Sequence, residues 1–224
     1  MKAIYMGVGL LAVASQAHAF SYFNNFESPV GAEWNTSDTA MFNGTDVLGR
    51  FSNNAVQLTL TGLDVGSTAT IKFDLYILDS WDGLGLDFGG PDQFRFSVDG
   101  TTMLHTTFAN TGEQQNYPNP YGGGTFASQT GADSVDVSHG GSLPNGNYGN
   151  ALYSFGGGGT NSEFSALVTS STMVLTFEGI ALQSVGDESW ALDNVSVQTS
   201  SVPEPTSFLV LGVGIAAIIR RRRR

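Results

Sequence analysis

Between Phe20 and Val202 the chain carries 19 of its 20 acidic residues but only three fixed cations, Arg50, Lys72 and Arg95, a net charge of −16 over that stretch. Carboxylates that meet in such a domain have few cations to neutralise them, and all-oxygen donor sets suit calcium. One grouping joins the two ends of the domain. Asn24-Asn25-Phe26-Glu27 sits on an opening strand and Trp190-Ala191-Leu192-Asp193-Asn194-Val195-Ser196-Val197 on a closing one. Simple alternation places Asp193 on the same face as Ala191, Val195 and Val197, a face expected to be buried. A buried carboxylate needs a cation or hydrogen bonds. If the first and last strands are neighbours, Glu27 and Asp193, with backbone carbonyls, would hold one structural calcium ion. The other reading has Asp193 capping a turn or accepting backbone amides.

A second grouping is Asp79-Ser80-Trp81-Asp82-Gly83 with Gly90-Pro91-Asp92-Gln93-Phe94 and the later Asp187-Glu188-Ser189-Trp190. Asp82, Asp92, Asp187 and Glu188 could form a further calcium site or a polar sugar-binding edge, with Trp81 as a stacking platform. Acidic, glycine-rich turns are also ordinary β-loops, and Trp81 and Trp190 are ordinary core plugs. The plainer reading takes precedence.

Catalytic patterns are missing. Paired carboxylates could hydrolyse a glycosidic bond, but with so many acids the sequence selects no pair. The histidines are His18, His105 and His139, and no Gly-x-Ser-x-Gly or His-Glu-x-x-His occurs. Gly156 to Gly159 is not followed by the Lys-Ser/Thr of a phosphate loop. The acidic balance argues against nucleic acid, whose phosphates call for Lys and Arg. The expectation is a protein without catalytic residues. A glycoside-active enzyme is the least favoured alternative.

The ends of the chain carry addresses. Met1-Lys2 is a minimal charged start, Ala3 to Ala14 is largely apolar, and Ala17-His18-Ala19 is a small-x-small cleavage site, so residues 1–19 read as a leader for signal peptidase. At the other end Val202, Pro203, Glu204 and Pro205 precede an apolar run, Phe208 to Ile219, and then Arg220, Arg221, Arg222, Arg223 and Arg224. Five arginines after an apolar segment cannot enter a core; they suit a membrane stop on the cytoplasmic side of an inner membrane. The run is shorter than the roughly 20 residues of a comfortable span, which fits a temporary anchor. This tail resembles the PEP-CTERM sorting signal of Gram-negative bacteria. The resemblance implies export, recognition and cleavage by an exosortase, and a setting of extracellular polysaccharide. It covers about a tenth of the chain and is an address rather than an activity.

What lies between must position the acids. Val56, Leu58 and Leu60; Ile71, Phe73, Leu75 and Ile77; Phe94, Phe96 and Val98; and Met173, Leu175 and Phe177 each alternate with polar neighbours. Further strands are expected at Thr101 to Phe108, Leu152 to Phe155, Phe164 to Val168 and Trp190 to Gln198, with Asp99-Gly100 as a hairpin turn. No amphipathic helix appears and there is no cysteine. The fold class is therefore all-β: an antiparallel two-sheet sandwich over 20–199, read as a jelly roll, with helix confined to the leader and a short C-terminal membrane segment. Residues 113–160 read as a largely glycine-rich, mobile excursion, and 200–224 as linker plus tail.

The Phe-Glu near the start and Leu-Asp-Asn-Val near the end resemble the calcium site of jelly-roll carbohydrate-binding modules, and the closing strand resembles that of MAM domains. These likenesses imply the Glu27–Asp193 calcium clamp. The expected protein is an exported, non-catalytic component of the cell surface or extracellular matrix. Its alternative is a glycan-binding module attached to extracellular polysaccharide, which would need an exposed row of aromatics from Tyr76, Trp81, Tyr117 and Tyr121.

Overall fold

The protein is described from a computed structural model over residues 19–42, 44–86, 90–135 and 149–200. Ala19–Ser200 forms one compact unit. The expected leader and tail helices, the Val202–Pro205 motif and the arginines lie outside the described residues, among which there is no helix. The strands are β1 (Ser21–Asn24), β2 (Thr39–Phe42), β3 (Thr45–Phe51), β4 (Ala55–Thr61), β5 (Thr68–Asp79), β6 (Gln93–Val98), β7 (Thr101–Thr107), β8 (Ser134–Val135), β9 (Ala151–Phe155), β10 (Phe164–Leu167), β11 (Thr172–Ile180) and β12 (Glu188–Thr199). They build two antiparallel sheets. One runs β2-β3-β12-β5-β9-β8, with β1 also on β12 and β10 also on β5; the other runs β4-β11-β6-β7.

Period-two patterning produces this directly. In β4 every second residue, Val56, Leu58 and Leu60, is buried, and its register partners in β11, Phe177, Leu175 and Met173, face the same core. Strands that read one face apolar and one face polar must cover the apolar face, and here the second sheet covers it. Aromatic rings join the layers. Phe73 of β5 meets Phe96 at 5.1 Å and Phe177 at 5.1 Å, while Phe94 of β6 meets Trp190 of β12 at 5.4 Å, edge to face. Trp190 is enclosed and donates its Nε1–H to Ser52 O at 2.8 Å. Gly179 leaves it room, because a Cβ there would lie 2.7 Å from that indole nitrogen and 2.4 Å from the same carbonyl. The Asp99-Gly100 turn joins Val98 to Thr101 with both φ values positive, 49° and 77°, as a two-residue hairpin requires.

Three expectations change. The first concerns the face of Asp193. Trp190 and Leu192 enter the main core, while Ala191 joins a smaller outer cluster with Phe42, Val47, Tyr76 and Leu78. A register irregularity then falls between Asp193 and Ser196, with Asn194 at φ 50°, and Val195 and Val197 return to the main core. Asp193 therefore shares the outer face with Ala191 but not the inner face with Val195 and Val197. An inserted bulge residue reverses the alternation.

The second change concerns residues 113–135, which are not a loose excursion. Gln115 is fully buried; its Oε1 accepts from the N–H of Ala109 and of Gln129, and its Nε2 donates to the carbonyls of Tyr117 and Thr130. One amide thus organises the segment, which needs no apolar alternation to be ordered. The third change is that β1 ends at Asn24, so Glu27 follows the opening strand instead of lying on it.

Candidate metal site

At one end of the sandwich three chain segments meet. Glu188 opens β12 opposite Asp79, the last residue of β5; Asp82 follows β5 and bridges Ala109; Asp92 precedes β6. The turn after β5 is closely packed. Leu84 N donates to Gln114 O and Gly85 N to Asp82 O, both at 2.8 Å, and Asp92 N donates to Gly83 O at 2.9 Å. Gly83 stands at φ 59°, where a Cβ would come within 2.4 Å of Gln114 O, so the turn requires glycine. Trp81 is fully buried and donates its Nε1–H to Ser189 O at 2.9 Å, which ties the turn to β12.

This architecture brings together Asp82, Asp92 and Glu188, all buried, each offering an oxygen within 4.8 Å of the others. Of the four acids expected here, Asp187 is turned away and accepts from the Ser80 hydroxyl at 2.8 Å. Asp92 Oδ2 accepts the Asp82 N–H, and Glu188 Oε2 accepts the Gln183 N–H at 2.5 Å. The second oxygens, Asp92 Oδ1 and Glu188 Oε1, are buried without a hydrogen-bond partner. Burial, then the neighbouring carboxylates, push Glu188 up to about 8. Burial likewise raises Asp92 to about 6, reinforced by the charge of Asp82. Asp82 is raised mainly by burial, with Asp187 and Glu113 adding to it. Nothing in the sequence pattern marked Glu113 as a contributor; it is brought near by the packed 113–135 segment.

The Glu27–Asp193 pair is arranged differently. β1 and β12 are neighbours as expected, with Asn24 opposite Val195, and β3 meets β12 on the other side of the bulge, Leu48 opposite Leu192. Glu27 is exposed, and hydrogen bonds from the Thr45 hydroxyl and from Asp46 N, the latter at 2.9 Å, lower its pKa. Asp193 accepts from Asn194 N at 2.7 Å and lies opposite Asp74 across β5. Burial, then the charges of Asp74 and Glu27, push it up to about 7. Asp74 was not singled out in the sequence; pairing β5 with β12 in register is what reveals it. The donors at this seam are all oxygens, which suits a hard cation, but it brings fewer carboxylates within one ion's reach than the other site. Among the described residues, Asp82, Asp92 and Glu188 are the group of three or more such ligand atoms. A shallow cavity beside the seam is lined by Glu27, Ser28, Ser37, Thr39 and Asp46 with Phe26, Pro29 and Val30.

Three of the four rings expected as stacking platforms have no free face: Trp81, Tyr76 and Tyr117 are buried. Tyr76 packs against Phe42 on the outer cluster, and Tyr117 packs between Phe108 and Tyr153. Tyr121 is 43% exposed and stacks on His105 at 5.1 Å.

Comparisons with known proteins add an address rather than a chemistry. No curated protein matches the chain. Among solved structures, dimeric latent PorU from Porphyromonas gingivalis is similar at 12% identity and TM-score 0.40, over 84% of this chain and 13% of that one, so this chain spans about an eighth of its length. Basic winged bean lectin with Tn-antigen is similar at 12% identity and TM-score 0.35, over 82% of this chain and 99% of the lectin. Winged bean acidic lectin complexed with methyl-alpha-D-galactose is similar at 13% identity and TM-score 0.35, with the same coverage. Residues 201–224 match the PEP-CTERM protein-sorting motif, and the chain therefore carries the sorting signal of an exported protein.

Proposed function

We propose that this is an exported, non-catalytic protein of the bacterial cell surface or extracellular matrix, delivered there by signal peptidase and then exosortase. The sorting motif at 201–224 is the observation that carries this reading. The fold is in keeping with a structural role. The chain passes repeatedly between sheets, β3 to β4 to β5 to β6 and β10 to β11 to β12, which supports a jelly roll. The acids that gather at Asp82, Asp92 and Glu188 are enclosed rather than set across an open cleft, an arrangement that favours holding an ion over hydrolysing a glycoside. In the same reading a calcium ion at Glu27 and Asp193 clamps the first strand to the last. The pairing of β1 with β12, Asn24 opposite Val195, supports it by bringing the chain into Glu27 alongside the closing strand.

The glycan-binding alternative has one favourable observation, the cavity beside Glu27, whose lining combines hydroxyls and carboxylates with Phe26, Pro29 and Val30. Enclosure of Trp81, Tyr76 and Tyr117 weighs against a row of stacking aromatics. Intact-mass measurement on protein recovered from the surface of its native host tests the main reading. The expected mass lacks residues 1–19 and everything beyond the Pro203–Pro205 region. Recovery of the full arginine-terminated chain as the stable surface form would overturn it. Replacing Arg220 to Arg224 with serine is expected to impair retention and sorting.

A further inference from the structure

We propose that Asp82, Asp92 and Glu188 bind one calcium ion, which fastens the β5 and β12 ends of one sheet to the β6 start of the other. Two oxygens bound to one calcium at about 2.4 Å can be at most about 4.8 Å apart. The three carboxylates meet that limit. Two of their oxygens, Asp92 Oδ1 and Glu188 Oε1, are buried with no donor from the rest of the described chain, and the two carboxyls stand near enough to share a proton or an ion, although such atoms ordinarily find a donor. Each of these two side chains spends its other oxygen on a backbone N–H, which fixes the carboxylate and leaves the open oxygen for the cluster.

Among the described residues no protein cation is at hand to serve instead. Arg50 is paired with Asp79 and bonded to Ser189 and Val185, Lys72 is paired with Glu163, and Arg95 with Glu178. Those are the three fixed cations of residues 20–202. Asp187 and Glu113 add negative potential around the site. Oxygen-only donors select a hard ion, and calcium tolerates an irregular cage completed by carbonyls and water better than magnesium does. The competing explanation is that one carboxyl keeps a proton and bonds its neighbour, with no ion at all.

The test is thermal unfolding of the full chain after chelation and then with calcium or magnesium added, in four forms: wild type, Asp92→Asn, Glu188→Gln and Asp193→Asn. The expected result is a higher midpoint with calcium, a smaller rise with magnesium, a calcium rise cut by more than half in Asp92→Asn and Glu188→Gln, and most of the rise kept in Asp193→Asn. An unmoved wild-type midpoint, or a calcium rise that neither trio substitution diminishes, would overturn the proposal. Should a trio variant fail to fold, the Glu27→Gln/Asp193→Asn double variant decides. Tryptophan-sensitised terbium emission that calcium displaces supports the trio, and absence of such emission overturns it.

Discussion

Asp133 and the Asp82–Asp92–Glu188 trio hold negative charge in opposite ways. Asp133 receives hydrogen bonds from Ser154 N at 2.8 Å, Thr160 N at 2.7 Å, the Thr160 hydroxyl at 3.2 Å and Asn161 Nδ2 at 2.6 Å. Burial acts to raise its pKa, but these donors outweigh it and hold the carboxyl below its ordinary range. In the trio, backbone N–H groups serve Asp92 and Glu188 and the Thr111 hydroxyl serves Asp82, yet two oxygens lack an outside donor, and all three pKa values rise. The difference lies in burial, since Asp133 is exposed and the trio is enclosed, and in how donors are supplied. Backbone and side-chain donors that converge on Asp133 from β9 and the segment after it stabilise the anion within the chain; three acids that converge on one another with few donors do not, and require an ion or a proton.

Glu188→Gln sharpens this contrast most. With calcium at a hundredfold excess over its Kd the wild type gains about 2.7 kcal/mol, most of which the variant forgoes. In chelator, at a pH above about 8 where Glu188 is ionised, the order should reverse, because removing one of three crowded carboxylates relieves repulsion and leaves a neutral amide. Denaturant unfolding under the two conditions checks the crossing. A variant that is less stable than wild type in both would break the comparison.

Asp133→Asn should behave in the opposite manner, costing about 1–2 kcal/mol whether or not calcium is present, since hydrogen bonds to a charged acceptor are lost. Its dependence on acid follows from the lowered pKa. Stability from Asp133 is fully present above the ordinary carboxylate range and is lost as pH falls through the folded-state pKa. The gap between wild type and variant should therefore close on acidification. A gap that widens as pH falls would contradict the assignment.

The smallest effect is expected at the seam. Asp193→Asn retains shape and removes a buried carboxylate that faces Asp74, while the hydrogen bond from Asn194 N keeps an acceptor, so in chelator it should change stability little. With calcium it should lose only what the seam ion contributes, which solvent access at exposed Glu27 keeps below the trio's share. A larger calcium-linked loss here than in Glu188→Gln would invert the ranking of the two sites.

Much of this was legible in the residues. The alternation of Val56 to Leu60, Ile71 to Ile77 and Met173 to Phe177 marks strands because one face of each must be covered. β2 and β3 escaped notice: Thr39–Phe42 is short, and Gly49 interrupts the pattern of Thr45–Phe51. The reversal of face at Asp193 had one local cue, the Asn194 that adopts positive φ, a conformation Asn accepts more readily than most residues. Asp82, Asp92 and Glu188 could be named from their turns, but their meeting depends on how β5, β6 and β12 end in space. Asp187, their neighbour in the same motif, points elsewhere for the same reason. Order in 113–135 was hidden because it rests on the buried amide of Gln115 instead of on periodicity.

The most direct measurement is anomalous diffraction from crystals of the protein grown with calcium. A calcium peak is expected in contact with carboxylate oxygens of Asp82, Asp92 and Glu188, with Asp92 Oδ1 and Glu188 Oε1 among them. A hydrogen-bonded Asp92–Glu188 pair with no peak between them, whatever is bound near Glu27 and Asp193, would contradict it.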